Sequence, residues 1–312
     1  MRLKTIVLLI LVLKILSAFG SDDSLKLASQ ENIILNLILE KSVLLTDEPI
    51  VTRCYIINTA NHAVKINFPY GREDAMACGY TSFSAIGSDG KNFYYKLIGH
   101  GDRLFEYRNK PANDTTYFNV TLWPRLFRNT KDQKPGLPPG RYKLCIRLCL
   151  GHQSHVYDTV DFKITKHVEK NRQFEEVLPV ITCFYGNHEE GGYIYPVYVL
   201  KKDPNRLLKN LDSLRKSNFY LSDYIDYVYI MFLYRSLHLT DRKPDKAIKE
   251  AVRFIKQHAG SILAEEMEYH LIRMERKRDR DGEDWRKRAV GILEKYPKNL
   301  NNVLIRRLLK AK

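Results

Sequence analysis

The sequence predicts two folded parts of different class, an antiparallel all-β sandwich followed by an all-α helical bundle or stack of helical hairpins. Three observations carry this. From Ile33 to about Thr165, short runs of alternating apolar and polar residues are separated by turn residues, the period-2 pattern of strands with one core face and one wet face. From Pro204 onward, apolar residues recur at three- and four-residue steps, the spacing of one helix face. Charge divides along the same line. Residues 21–200 hold 21 basic and 20 acidic side chains, whereas 201–312 hold 27 and 16. The 312 residues therefore read as a signal peptide at 1–20, a sandwich at 21–166, a connector packed on a domain at 167–203 and a basic helical domain at 204–312.

The first segment places Arg2 and Lys4 before an apolar run from Ile6 to Leu13, with Ala18 and Gly20 at positions −3 and −1 of a cut after Gly20. A basic start, a short apolar stretch and small residues at the cut are the layout of a secretory signal. A retained membrane anchor is the competing reading, but a spanning helix needs about 20 mostly apolar residues and Lys14 interrupts this one. The expectation is a secreted or periplasmic protein with no transmembrane segment after signal removal.

Strands follow in order. "IILNLILE" is entered from Asn32. "PIVTRCYIIN", "AVKINFPY", "SFSAIGSDGKNFYYKL", "TTYFNVTLW", "GRYKLCIRLCL" and "YDTVDFKIT" come next. Asn61-His62, Ser88-Asp89-Gly90 and Pro138-Pro139-Gly140 punctuate them. After Gly140, Tyr142, Leu144, Ile146, Leu148 and Leu150 fall on one face, and Arg141, Lys143, Cys145, Arg147 and Cys149 on the other. Parity puts Cys54 inward with Ile50, Thr52 and Ile56, which argues against a Cys54–Cys145 bridge. On a straight strand Cys145 and Cys149 are about 13 Å apart, past disulfide reach. The five cysteines (54, 78, 145, 149, 183) are an odd number, so an exported chain keeps a free thiol or an intermolecular pair.

"TDEPIVTRCYIINTANHAVKINF", the turn "SDGKNFYY", the strand ending at Trp123 and "PPGRYKLCIRL" resemble bacterial Ig-like sandwich domains of the intracellular proteinase inhibitor type. The resemblance rests on Glu48, Pro49, Ile50, Asn58, Gly140 and Tyr142 and spans roughly 130 residues. It implies the Ig-like fold and, secondarily, protease inhibition through a loop such as Gly71 to Gly79.

Beyond Lys166, "RQFEEVLPVITCFYGNHEEGGYIYPVYVLKK" reads as an irregular connector, whose Tyr193, Tyr195 and Tyr198 seal the seam between domains or form a recognition surface. Asp203-Pro204 opens a helix carrying Leu207, Leu208, Leu211 and Leu214. Ser222 or Asp223 caps a second, apolar around much of its circumference and so expected to be buried. Pro244-Asp245 starts a third, with Ala247, Ile248, Ala251, Val252 and Ile255 on one face. Ser261 caps a fourth. Trp285, Ala289, Ile292 and Leu293 mark a fifth, and Val303, Leu304, Leu308 and Leu309 the last. "WRKRAVGILEKYPKN" resembles the second helix of a tetratricopeptide-type unit, once only.

Signatures of catalysis are sparse. No Gly-x-Ser-x-Gly, His-Glu-x-x-His, phosphate-cradling or dinucleotide motif occurs. "DRDGEDW" lacks the glycine and closing glutamate positions of a calcium loop. Cys145, Cys149, His152 and His155 have zinc-type chemistry without zinc-type spacing, and Glu266 and His270 share a helix face where a surface ion pair is the simpler reading. Asn113 and Asn119 lie in glycosylation sequons. The candidate binding residues are Arg273, Arg276, Lys277, Arg280, Arg286 and Lys287, which could meet a protein or an anionic polymer; equally, they solvate helix surfaces. The reading is an exported, non-catalytic binding or scaffold protein of the bacterial envelope or extracellular space, with no cofactor and no nucleic acid partner. A secreted hydrolase with a site assembled from distant residues and a secreted protease inhibitor are the alternatives.

Overall fold

Alternating β-branched and aromatic residues build eleven strands, and capped amphipathic segments build seven α-helices, among the described residues. The computed structural model describes residues 32–67, 81–95, 107–131, 134–149, 155–167, 171–186, 203–235 and 244–310. The strands are β1 (Ile33–Leu39), β2 (Val43–Leu45), β3 (Ile50–Asn58), β4 (Val64–Asn67), β5 (Thr81–Gly87), β6 (Asn92–Tyr95), β7 (Tyr107–Lys110), β8 (Thr115–Leu122), β9 (Phe127–Asn129), β10 (Gly140–Cys149) and β11 (His155–Thr165). The helices are α1 (Arg172–Gly186), α2 (Pro204–Lys216), α3 (Ser222–Arg235), α4 (Asp245–Gln257), α5 (Ile262–Arg278), α6 (Glu283–Lys295) and α7 (Asn302–Lys310). A 3-10 turn, Pro124–Leu126, joins β8 to β9. The leader-type segment, the loop at 71–79, position 152 and the tyrosines at 193, 195 and 198 lie outside the described residues.

Nine strands form two sheets, ordered β1-β3-β8 and β2-β11-β10-β5-β6-β9, and β4 and β7 form a separate ribbon. Pairing is antiparallel except at one edge, where β2 runs parallel to β11 with Leu44 opposite Ile164. Parity in β10 is as the alternation predicts. Tyr142, Leu144, Ile146 and Leu148 are buried, while Arg141, Lys143 and Arg147 are exposed. Cys54 is buried, and Cys54 and Cys145 are both free thiols.

The expected fold class is corrected by the core. An Ig-like antiparallel sandwich followed by a separate helical bundle would have two cores, one per class. Instead one continuous cluster runs from Leu35, Ile56, Phe83, Leu144 and Phe162 in the strands to Phe174, Leu211, Ile225, Phe232 and Phe254 in the helices. Trp123, at the end of β8, lies 6.5 Å from Phe174 of α1, which lies 5.2 Å from Phe219 ahead of α3. From Tyr117 to Leu122, β8 is buried on both faces. The chain is thus a mixed α and β structure. Local periodicity defines an element's faces but not what those faces meet, and that is why the halves were separable on paper.

Three local expectations also change. The stretch read as irregular contains α1. Asn171 accepts hydrogen bonds from the N–H groups of Gln173 and Phe174 (2.9 and 3.2 Å), and Phe174, Val177 and Ile181 bury one face. In α4 the buried face is Ala247, Ile248, Ala251 and Phe254, with Val252 and Ile255 at its margin. In α7 Ile305 is buried while Leu304 is exposed. Other expectations match the helices found. Asp203 caps α2, accepting from Asn205 N–H, Ser261 caps α5, accepting from Ala264 N–H, and α3 is buried nearly all round. A smaller cluster of Tyr269, Ile272, Trp285, Ala289, Ile292 and Ile305 holds α6 and α7 to α5.

A shared core makes unfolding cooperative across both classes. Leu144→Ala in β10 and Leu211→Ala in α2 should each cost about 2–5 kcal/mol. In either variant the helical circular dichroism and the fluorescence of Trp123 (read in Trp285→Phe) should shift to one new denaturation midpoint. Separate midpoints for the two signals would restore two independent cores.

Candidate functional site

The sheet and the helices meet at a buried carboxylate. Strand parity turns Arg53 and Tyr55 of β3 to the outer face of the three-stranded sheet, opposite Asn119 and Tyr117 of β8. Ser261 starts α5 so that its first turn lies on that face, and this brings in Glu265, which is only 3% exposed. Glu265 accepts hydrogen bonds from the Arg53 guanidinium, from Tyr117 OH at 2.9 Å and from the Asn299 side-chain amide. The Arg53 guanidinium also lies over the Tyr117 ring, 4.5 Å from its centroid. Asn299 arrives on the segment after α6, which pairs with β8 by backbone. Tyr117 N–H donates to Lys298 O and Leu300 N–H donates to Tyr117 O, both at 2.9 Å. Asn119 accepts from Arg53 Nε at 3.0 Å.

The electrostatics follow from this geometry. Burial opposes the Arg53 charge, but the Glu265 carboxylate together with Tyr55 and Tyr117 outweighs it, and the pKa is raised. Burial, reinforced by the Glu265 charge, pushes the Tyr117 hydroxyl well above its usual value of 10.0. Two more tyrosines tie α3 to the β2–β3 turn. Tyr220 OH donates to Thr46 O at 2.8 Å, and Tyr224 OH to Glu48 Oε1 at 3.3 Å. Glu48, itself buried, also accepts from Lys41 and from Leu45 N–H, each at 2.8 Å. Tyr269 OH donates to Asn302 Oδ1 at 2.9 Å. Among the helices, Arg215, whose side chain is 7% exposed, is shared by Asp212, Asp226 and Glu250 at 2.7–2.9 Å. Arg253 adds a second cation to Asp226 at 2.6 Å. These carboxylates are occupied by donors, an arrangement suited to holding surfaces together.

The candidate basic residues lie on two consecutive helices and the turn between them. Arg273, Arg276 and Lys277 lie on the last turns of α5, Arg280 on the following turn, and Arg286 and Lys287 on α6. Arg276 and Arg286 both lie near the Trp285 ring, 5.7 and 4.7 Å from its centroid. Lys277 lies 5.5 Å from the Tyr234 ring, and burial lowers its pKa. Lys287 pairs with Glu283 at 3.1 Å. Arg273 and Arg280 are exposed. The loop with superficial calcium-site chemistry encloses a cavity of ≈ 100 Å³ lined by Glu275, Arg278, Asp279, Glu283 and Trp285. There Asp279 accepts from Asp281 N–H at 3.2 Å, and a Cβ at position 282 would stand 2.6 Å from its carboxylate, so a side chain there would have to displace Asp279. Glu266 is buried on α5. Among the described residues no group of three His, Cys, Asp or Glu is placed to hold a metal ion, and no helix is long and apolar enough to cross a membrane. Of the two sequons, Asn113 is exposed in a turn with positive φ and Asn119 is buried in the seam.

Sequence reasoning missed Glu265 although it read its helix and cap correctly. The one available signal was position: a carboxylate in the first turn after a Ser cap, beside the Glu266 that drew attention to His270.

No family model matches the chain, and no curated protein matches it. Among solved structures it is similar to a β-glucosidase from Listeria innocua in complex with gluconolactone, at 12% identity over 44% of this chain and 17% of that chain, with a TM-score of 0.27. It is also similar to the sporulation control protein Spo0M from Bacillus subtilis, at 14% identity over 49% and 56%, TM-score 0.27. The alkylpurine DNA glycosylase AlkC from Pseudomonas fluorescens gives 14% identity over 43% and 30%, TM-score 0.26. The chain spans less than two thirds of each of these proteins, and at such TM-scores they bear on neither its fold nor its activity.

Glu265→Gln leaves Arg53 facing a neutral amide. Because the Arg53 side chain is 25% exposed, the expected loss is about 3 kcal/mol, the lower end for a broken buried pair. Tyr117→Phe should cost about 1–3 kcal/mol by stranding an acceptor. Chemical denaturation checks both. The buried tyrosines also set a pH dependence. The Tyr142 hydroxyl, which donates to Pro138 O, is pushed by burial up to about 12 from 10.0. A folded-state pKa above the unfolded one means that the folded chain holds its proton longer. That stability is complete below pH 10 and is lost as pH rises through about 12. Tyr117, Tyr224 and Tyr269 are raised in the same direction. Denaturant midpoints should fall above pH 10, less steeply in Tyr142→Phe than in the parent chain.

Proposed function

We propose that this chain is an exported, non-catalytic binding protein of the bacterial envelope or extracellular space, acting as a rigid scaffold for a protein or an anionic polymer. The observation that carries the reading is the Glu265 seam. A carboxylate used for proton transfer must reach a substrate proton, whereas Glu265 is buried and engaged by three donors from β3, β8 and the segment after α6. The same contacts hold the helices against the three-stranded sheet, so both parts present their outer faces in a constant relation. Export is supported by the basic, apolar and small-residue order of residues 1–20.

Expression in a bacterial host tests the export half. Amino-terminal sequencing of the extracytoplasmic protein should begin at Ser21, and Ala18→Arg should block processing and leave the longer precursor. Recovery of the unprocessed chain in the cytosol, with its amino terminus at Met1, would overturn it.

A further inference from the structure

The strand half is nearly neutral by count, yet sheet parity separates its charges. In β10 the outward positions are Arg141, Lys143, Cys145 and Arg147. The register aligns Arg141 with Lys163 of β11, Lys143 with Asp161, and Arg147 with Tyr157 on one side and Ser82 of β5 on the other. The next row runs Thr159, Cys145, Ser84 and Tyr94. Tyr157 is 59% exposed and Tyr94 37%. Arg147 donates to His155 Nε2 at 2.7 Å. Among the described residues no carboxylate forms an ion pair with Arg141, Lys143, Arg147 or Lys163. Three acidic groups in the turns between strands are engaged: Asp47 by Arg125, Glu48 by Lys41, Asp114 by Lys110. Asp158 points inward and accepts from Leu37 N–H. Asp161 is the carboxylate that shares the outer face in these rows.

We propose that the outer face of the six-stranded sheet binds an acidic polysaccharide, a polymer of sugar rings bearing carboxylate or sulfate groups. Four cations face a single carboxylate, so the face is complementary to a polyanion. Cations at alternate positions on one strand lie about 7 Å apart, and those on neighbouring strands about 5 Å apart, which suits negative groups repeated along a chain. Ser82, Ser84 and Thr159 offer hydroxyls that both donate and accept, matching sugar hydroxyls that do the same. Tyr157 and Tyr94 add ring surface with a polar tip at opposite sides of the face. Single-stranded nucleic acid fits less well. Its aromatic platforms hold successive bases, about 3.4 Å apart, whereas the two tyrosines have β5 and β10 between them, about 14 Å across the sheet. This site is independent of the helical residues Arg273 to Lys287 and of whether the chain is exported.

Binding to polygalacturonate, dextran sulfate, neutral dextran and a single-stranded DNA oligomer would be measured with the full chain by titration calorimetry. The parent should bind one or both acidic glycans with an affinity that falls as salt rises, and should not bind neutral dextran. The double variant Lys143→Glu/Arg147→Glu should weaken binding about ten-fold or more, and Tyr157→Ala several-fold, with unchanged circular dichroism because all three side chains are exposed. The charge-matched control Arg306→Glu/Lys310→Glu on α7, both exposed, should bind like the parent. The proposal is overturned by failure to bind either acidic glycan, by tighter binding of the oligomer, or by loss of glycan binding in the helical control instead of the sheet variant.

Discussion

The Glu265 carboxylate is the group on which the arrangement of this molecule depends. A buried charge is costly unless it is paired and hydrogen-bonded, and its three donors come from parts of the chain that share no local structure. Arg53 is 212 residues away in sequence and Tyr117 is 148 away. Satisfying all three requires α5 to lie across β3 and β8 and requires the segment after α6 to run along the edge of β8. The backbone pairing of Tyr117 with Lys298 and Leu300 covers part of that edge, a position that otherwise invites association with other chains. Burial of β8 on both faces is the consequence.

The other polar contacts across the structure repeat this logic at lower cost. Tyr220, Tyr224 and Tyr269 each bury an aromatic body and place the hydroxyl on an acceptor. Arg215 binds three carboxylates from three different helices. Charge inside the molecule is therefore consumed in joining elements, and charge outside is sorted by strand parity. Net charge along the chain conceals that sorting: a segment with 21 basic and 20 acidic residues still presents a cationic sheet face, and among its described acids Asp47, Glu48 and Asp114 are paired at turns.

Much of the local structure was legible. The alternation after Gly140 gave the two faces of β10 residue by residue, the parity of "PIVTRCYIIN" placed Cys54 inward, and Asp203 and Ser261 gave the starts of α2 and α5. What failed was of two kinds. Helix α1 was obscured because Gly and aromatic residues downstream dominated the reading, although Asn171 and the 174/177/181 spacing were present. The mixed fold class was obscured because nothing in a strand's alternation states whether its outer face meets water or a helix: Tyr117 and Asn119 look solvent-facing by parity and are buried by α5 and the 298–300 segment. The basic run from Arg273 to Lys287 read as one patch. Within it, Arg276 and Arg286 lie near the Trp285 ring, Lys277 near the Tyr234 ring, and Lys287 pairs with Glu283.

The sequence by itself determined the elements and their faces, since strand and helix periodicity, caps and turns depend on residues no more than a few positions apart. It also determined the charge imbalance of the last third. Only the tertiary structure decided that strands and helices share one main core, that a glutamate with no distinguishing motif joins them, and which of the described cations remain without carboxylate partners. These are properties of pairs separated by tens to hundreds of residues, and their energies appear only when packing removes both members from water.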